Sequence, residues 1–383
     1  MKRLFATVLL LEAASGMPYG VVNDLVPVWL KTKGMSLAEL GALTLVGLPW
    51  TLKVFWGPFI DRVGTFRTWM IVGLAGACVG TALLGTTLPV VPILIAIAIA
   101  SAVQDVAIDG WLVAAVPPEQ QGRATGIRVA GYRGAMALAG GGGVVLGARY
   151  GWDVAIAAVL ALQGALLVHH WFLAAPPPHV EPTGAEWLTT LKTWLTQENA
   201  AALFAFALLF KLGDSAMAPM VKPFWLDSGL TPVEVGTLST TVGAVLVGAG
   251  AVLGGELLSR VGLRRGALVL GASQALSNVG YAAAGVVGGR PAIYTASVGE
   301  SLTAGFGSAA LLAIFMRACG GAQAATRFAL LTAIIGLTRT IAGAFSGLGV
   351  EGLGYPAYFG LTFLLAIPGL FLIGPVTRHL DAA

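Results

Sequence analysis

The sequence predicts an all-α polytopic membrane protein of twelve transmembrane helices, arranged as two pseudo-symmetric six-helix bundles. Three observations carry that prediction. First, 57% of the 383 residues are hydrophobic and only 10% charged, with a mean hydropathy of +0.84; soluble domains carry roughly a quarter charged residues. Second, the apolar runs are about 20 residues long, the length of a spanning helix rather than of an alternating barrel strand. Third, the chain repeats itself. Pro27-Val28-Trp29-Leu30 and Ser36-Leu37-Ala38-Glu39-Leu40-Gly41 return as Pro223-Phe224-Trp225-Leu226 and Thr231-Pro232-Val233-Glu234-Val235-Gly236. Both copies contain a Ser/Thr-x-x-Glu capping box that marks a helix start.

The spans fall at approximately 4–29, 37–56, 68–88, 91–115, 124–147, 153–174, 200–224, 232–257, 266–287, 292–316, 328–348 and 355–374. Met1-Lys2-Arg3 before an apolar run imitates a secretory signal, but the run continues past Glu12 to Trp29, which favours a first span. Between spans, Lys2, Arg3, Arg62, Arg67, Arg123, Lys192, Arg260, Arg264, Arg265, Arg317, Arg327 and Arg378 fall on one side. Lys31, Lys33, Arg149, Lys222 and Arg290 fall on the other. The asymmetry puts both termini in the cytoplasm. Expected domains are an N-terminal bundle, 1–174, a cytoplasmic linker, 175–199, and a C-terminal bundle, 200–383. Pro176-Pro177-Pro178 stops the sixth helix, and Trp187, Leu188, Leu191, Trp194 and Leu195 share one face of a segment that is either an interfacial helix or a tether.

Intramembrane ionisable groups cost at least ~2.5–3.5 kcal/mol each and need partners or a wet cavity. This chain places Glu12, Lys53, Asp105, Asp109, Arg128, Arg133, Lys211, Asp214, Glu300 and Arg339 within its spans. Asp105 and Asp109 are one helical turn apart and can face the same way; Lys211 and Asp214 can pair within a helix. One reading is mutual neutralisation between helices; so many buried charges is a poor way to stabilise a bundle, which favours function. Histidine is almost absent from the spans, so any coupled proton falls to a carboxylate: Asp105, Asp109, Asp214 or Glu300, with Glu12 a weaker candidate near the cytoplasmic end. Ser101-Ala-Val-Gln104 pairs with Ser297-Val-Gly-Glu300, and Gly131-Tyr132-Arg133 with Leu337-Thr338-Arg339, in the repeat. The Gly140–Gly143 run inside span five suits close packing or a hinge. There is no His-Glu-x-x-His, no Gly-x-Ser-x-Gly and no metal-ligand cluster, so an enzyme is not expected. A duplicated, apolar chain implies a secondary transporter with its site between repeats.

Gly57-Pro-Phe-Ile-Asp61-Arg62-Val-Gly64-Thr-Phe-Arg67 and Gly255-Glu256-Leu-Leu-Ser259-Arg260-Val-Gly262-Leu-Arg264-Arg265 resemble the loop between the second and third helices of the major facilitator superfamily, whose fold is twelve spans in two bundles. That resemblance implies a gating latch at Asp61, Arg62, Arg67 and Arg260, weaker in the second copy, which lacks the aspartate. Further segments resemble the AmpG-type muropeptide permeases, a group related to the acetyl-CoA transporters: Ala14-Ser15-Gly16-Met17-Pro18, Leu48-Pro49-Trp50-Thr51-Leu52-Lys53, Gln104-Asp105-Val-Ala-Ile-Asp109, Ala130-Gly131-Tyr132-Arg133 and Phe210-Lys211-Leu212-Gly213-Asp214. The resemblance implies a proton-driven importer of the bacterial inner membrane. Its cargo would be an anhydro-muropeptide, or in other relatives a siderophore or acetyl-CoA. For an anionic sugar–peptide, Arg133 and Arg339 would clamp an acid group, Lys53 and Lys211 add charge, Gln104 donate hydrogen bonds, and Tyr132, Trp50 and Trp56 offer ring faces. The driving force would be the proton gradient, with no cofactor, no metal and no nucleic-acid partner, and the chain would act as a monomer in the bilayer. A non-transporting receptor and proton-free facilitated diffusion are the competing classes.

Overall fold

The computed structural model describes residues 2–53, 56, 60, 63–116, 121–173, 189, 192–193, 196, 200–318 and 324–382. Among them every regular element is helical. Nine helices are long and apolar enough to cross a membrane, from Arg3–Thr32 to Tyr355–Arg378. The remaining expected spans are also helical but miss that standard. Span two is the shorter apolar helix Leu37–Thr51. Span five is helical from Gln121 to Tyr150 but carries Arg123, Arg128 and Arg133. Span nine, Leu263–Val287, opens with paired arginines and contains Gln274 and Asn278. The expected linker 175–199 lies almost wholly outside the described residues.

Three spans widen into a π turn: Val21–Leu25 in span one, Leu138–Gly142 in span five and Leu238–Gly243 in span eight. In span one the turn lies between Pro18 and Pro27, neither of which can donate a backbone N–H to a regular ladder. In span five it coincides with the glycine run, whose lack of Cβ atoms leaves room for the wider backbone. The repeated segment behaves alike in both copies. Gly34 and Gly229 reverse the chain at φ of +89° and +87°, a conformation that favours glycine. Ser36 and Thr231 then cap the next helix, each accepting from the N–H of the glutamate three residues on, which reciprocates to the cap's own N–H.

The chain packs as two compact units that do not follow the sequence halves throughout. One unit comprises Met1–Gly34, Val46–Glu181 and Thr231–Thr240; the other comprises Met35–Leu45, Pro182–Leu230 and Thr241–Ala383. Each therefore contains the capped helix start that follows the other half's first span. In the second unit, Gly41 approaches Gly347 so closely that a side chain there would sit 2.7 Å from the Gly347 nitrogen. Glu351 accepts from the Ala38 N–H at 2.9 Å. In the first unit, a side chain at Gly236 would meet the Gly141 carbonyl oxygen at 2.7 Å. Small residues at these crossings let the backbones meet.

Each unit has its own core. Val8, Leu11, Ile60, Met70, Ile108 and Trp111 anchor the first. Phe206, Phe210, Leu270, Ile314, Phe315 and Ile373 anchor the second. Trp56 packs against the first core, and its indole N–H meets no acceptor among the described residues.

Candidate functional site

In the first unit the intramembrane charges form one continuous chain. Ser15 Oγ donates to Asp105 Oδ1 at 2.7 Å. Lys53 donates to both carboxylates of span four, closely to Asp105 and at 3.2 Å to Asp109. Arg128 takes the other oxygen of Asp109 and donates through Nε to Glu12 Oε1 at 2.5 Å. The order is Glu12–Arg128–Asp109–Lys53–Asp105–Ser15. Four spans contribute: one, two, four and five.

The local sequence explains the assembly. The one-turn spacing of Asp105 and Asp109 lets a single ammonium bridge them. Gly131 has no side chain where one would lie 2.7 Å from the Leu9 carbonyl oxygen, so spans one and five come close enough for Glu12 to reach Arg128. Three carboxylates face two cations, leaving one negative charge in excess. Glu12 is 4% exposed, while Lys53, Asp109 and Arg128 are roughly a third exposed, so the chain runs from a dry end to a wetter middle. Burial of an unmatched carboxylate is costly, and one bound proton removes the excess.

One turn along span one from Ser15 lies an aromatic trio. The rings of Tyr19 and Trp50 meet edge to face at 5.1 Å, and those of Tyr19 and Tyr132 lie 6.0 Å apart. The Trp50 indole donates to Ser101 Oγ at 3.1 Å. All three rings are half-buried. Arg133, beside Tyr132, is exposed and meets no carboxylate among the described residues. Gln104 is fully buried where span four crosses Gly73, and its amide has no partner among the described residues.

In the second unit the charges are fewer and tied differently. Lys211 lies 3.2 Å from Asp214 and donates to Gln274 Oε1 at 2.8 Å, while the Gln274 amide donates to Asp214. The result is a closed triangle. Gly307 makes it possible, because a side chain there would begin 1.3 Å from Gln274 Oε1. Glu300 lies within electrostatic range of Lys211 and Asp214, with the Ser301 hydroxyl 3.5 Å away. Arg339 is exposed on span eleven.

Of the residues expected to form a latch, Asp61 and Arg62 lie outside the described residues. Arg67 donates to the Trp171 carbonyl at the end of span six, and Arg260 pairs with Glu256 at 2.7 Å. Glu12, the weakest candidate on sequence, is the buried end of the charge chain. Tyr19 and Gln274 belong to the site without having stood out in the sequence. Tyr19 follows Pro18 in an otherwise apolar stretch, and the only cue to Gln274 is an amide within a span, shared with Asn278. No group of three metal-ligating side chains occurs among the described residues.

Residues 8–213 match the Major Facilitator Superfamily family model. The anhydromuropeptide permease of Escherichia coli (strain K12) is 29% identical, over 96% of this chain and 78% of its own length. A putative transporter, AmpG 4, of Rickettsia conorii is 26% identical, over 97% of this chain and 95% of its own length. Among solved structures, a bacterial homologue of the human lysosomal transporter Spinster, described as inward-facing and unoccupied, superposes with a TM-score of 0.81. It is 15% identical and covers 98% of this chain and 97% of its own. The nucleoside transporter NupG gives 0.73 at 13% identity, covering 97% and 99%. These relatives are permeases and transporters, not enzymes.

Proposed function

Because the chain belongs to the major facilitator superfamily, and is therefore a multi-pass membrane transporter of small molecules, we propose that it imports an anionic cell-wall fragment of the anhydro-muropeptide class, coupled to protons by alternating access. The observation that carries this reading is the unbalanced chain Glu12–Arg128–Asp109–Lys53–Asp105. With all groups ionised it holds one surplus negative charge in a low-dielectric setting. A proton on Asp109 neutralises the surplus and takes from Lys53 and Arg128 one of their two carboxylates each, leaving Lys53 with Asp105 and Arg128 with Glu12. With the surplus negative charge gone, the two cations have donor capacity for an anionic cargo that is no longer repelled, so proton and cargo favour the same loaded state. Return of the proton restores the pairs and expels the anion. Coupling of this kind requires only that the two ligands bias one equilibrium in the same direction.

The trio Tyr19, Trp50 and Tyr132 adds apolar ring faces one turn from the charges, suited to the C–H face of a sugar. Arg133, exposed beside it, supplies a fork for a carboxylate. The activity named for the Escherichia coli relative favours the same cargo class.

The test is uptake into proteoliposomes holding the purified chain. An imposed proton gradient should drive accumulation of labelled anhydro-muropeptide above its external concentration. Asp105→Asn and Asp109→Asn should each reduce this to equilibration while cargo exchange across the membrane continues. Uphill uptake unchanged in both variants would remove the charge chain as the coupling element.

A further inference from the structure

Where the chain's arginines collect, the start of span nine packs against the end of span twelve within one unit. The helix Leu263–Val287 opens with Arg264 and Arg265, and the helix Tyr355–Ala382 carries Arg378 in its last turns. The Arg264 guanidinium comes within 3.8 Å of where a side chain at Gly374 would begin. Arg378 lies four residues beyond Gly374, on the same face. All three arginines are exposed, and none meets a carboxylate among the described residues. The nearby Glu256 is taken by Arg260.

A charge bias that sets topology needs basic residues on one side, but not guanidinium groups gathered against one helix seam without an acid. Like charges so placed repel unless an anion sits among them. Deeper on the same two helices, one turn from Arg264 and two from Arg378, Leu268 and Phe371 are exposed, Phe371 by 77%. The helices stay in contact beneath them, since a side chain at Gly271 would lie 2.8 Å from Leu370. We propose that Arg264 and Arg378 bind the headgroup of an anionic phospholipid, whose acyl chain lies along Leu268 and Phe371. A soluble anion would use the arginines but leave the apolar strip idle, so the lipid accounts for both features. Basic pockets between spanning helices recognise such headgroups by charge and bidentate hydrogen bonding. The site is separate from the charge chain in the other unit and does not rest on the cargo reading.

The experiment is native mass spectrometry of the full-length chain in detergent, titrated with phosphatidylglycerol or with phosphatidylcholine of the same acyl chains. The wild type should hold phosphatidylglycerol roughly tenfold more tightly or better, given about one favourable contact per arginine. The double variant Arg264→Gln/Arg378→Gln should lose that preference, and Arg149→Gln, at an exposed arginine of the other unit, should keep it. If the double variant is recovered unfolded, Phe371→Ala decides the matter: its charges are intact, and its phosphatidylglycerol affinity should fall severalfold. A preference that survives both changes overturns the proposal. So does equal binding of phosphatidylcholine, or displacement of the lipid by millimolar inorganic phosphate, which would make the site one for free anions.

Discussion

The two polar centres stand in the two halves of a duplicated chain, yet they are built on opposite plans. In the first unit, five charged side chains from four spans form an open chain with one carboxylate too many. In the second, Lys211 and Asp214 are locked into a closed triangle by the amide of Gln274, with Glu300 in electrostatic range of both. An open chain can exchange partners when a proton arrives; a closed triangle holds its geometry. Duplication supplied related scaffolds, and under the proposed function divergence of the side chains would give one copy the moving charge and the other a fixed anchor.

The largest expected effects lie in the open chain. Arg128→Gln strands Glu12, which is 4% exposed, without its cation. Removing one partner of a buried pair costs 3–5 kcal/mol, and partial exposure of Arg128 puts the expected loss near the lower end, about 3 kcal/mol. Thermal unfolding in detergent measures it. A double variant Glu12→Gln/Arg128→Gln should recover most of the loss, and a failure to do so would mean that the pair is not the coupled unit described.

The second contrast concerns transport. Asp214→Asn and Glu300→Gln should slow uptake severalfold and still permit accumulation, whereas the span-four aspartate variants should not. Equal loss of uphill uptake on both sides would erase the distinction between mover and anchor. Next in size, Gly307→Ala should displace Gln274 and cost about 1–3 kcal/mol through overpacking. Adding Gln274→Ala should relieve much of it, because the clash is with that side chain.

The smallest effects test the two capped helix starts. Ser36→Ala and Thr231→Ala should each cost about 1 kcal/mol, seen as small decreases in melting temperature.

Much of this was legible in the sequence, and the reasons are local. Repeated capping boxes, the proline and glycine punctuation and the one-turn aspartate spacing all act within a few residues, so composition and period reveal them. The spacing of Lys211 and Asp214 likewise foretold their pairing. The features that stayed hidden depend on distant partners. Glu12 gains its importance from Arg128, 116 residues away, and Gln274 from Lys211, 63 residues away. The exchange of Met35–Leu45 and Thr231–Thr240 between units rests on glycine-to-backbone contacts that no periodicity encodes. Spans two, five and nine fell short of the apolar standard for a crossing helix because one is short, one carries arginines and one carries arginines and amides.

The most direct test is to follow protons and cargo together in proteoliposomes at zero imposed gradient, with a pH-sensitive dye outside. Adding anhydro-muropeptide to wild-type vesicles should raise external pH in step with uptake, and Asp109→Asn vesicles should show no such change. Cargo entry without any proton movement in the wild type would contradict the claim that the unpaired carboxylate charge of the first unit drives transport.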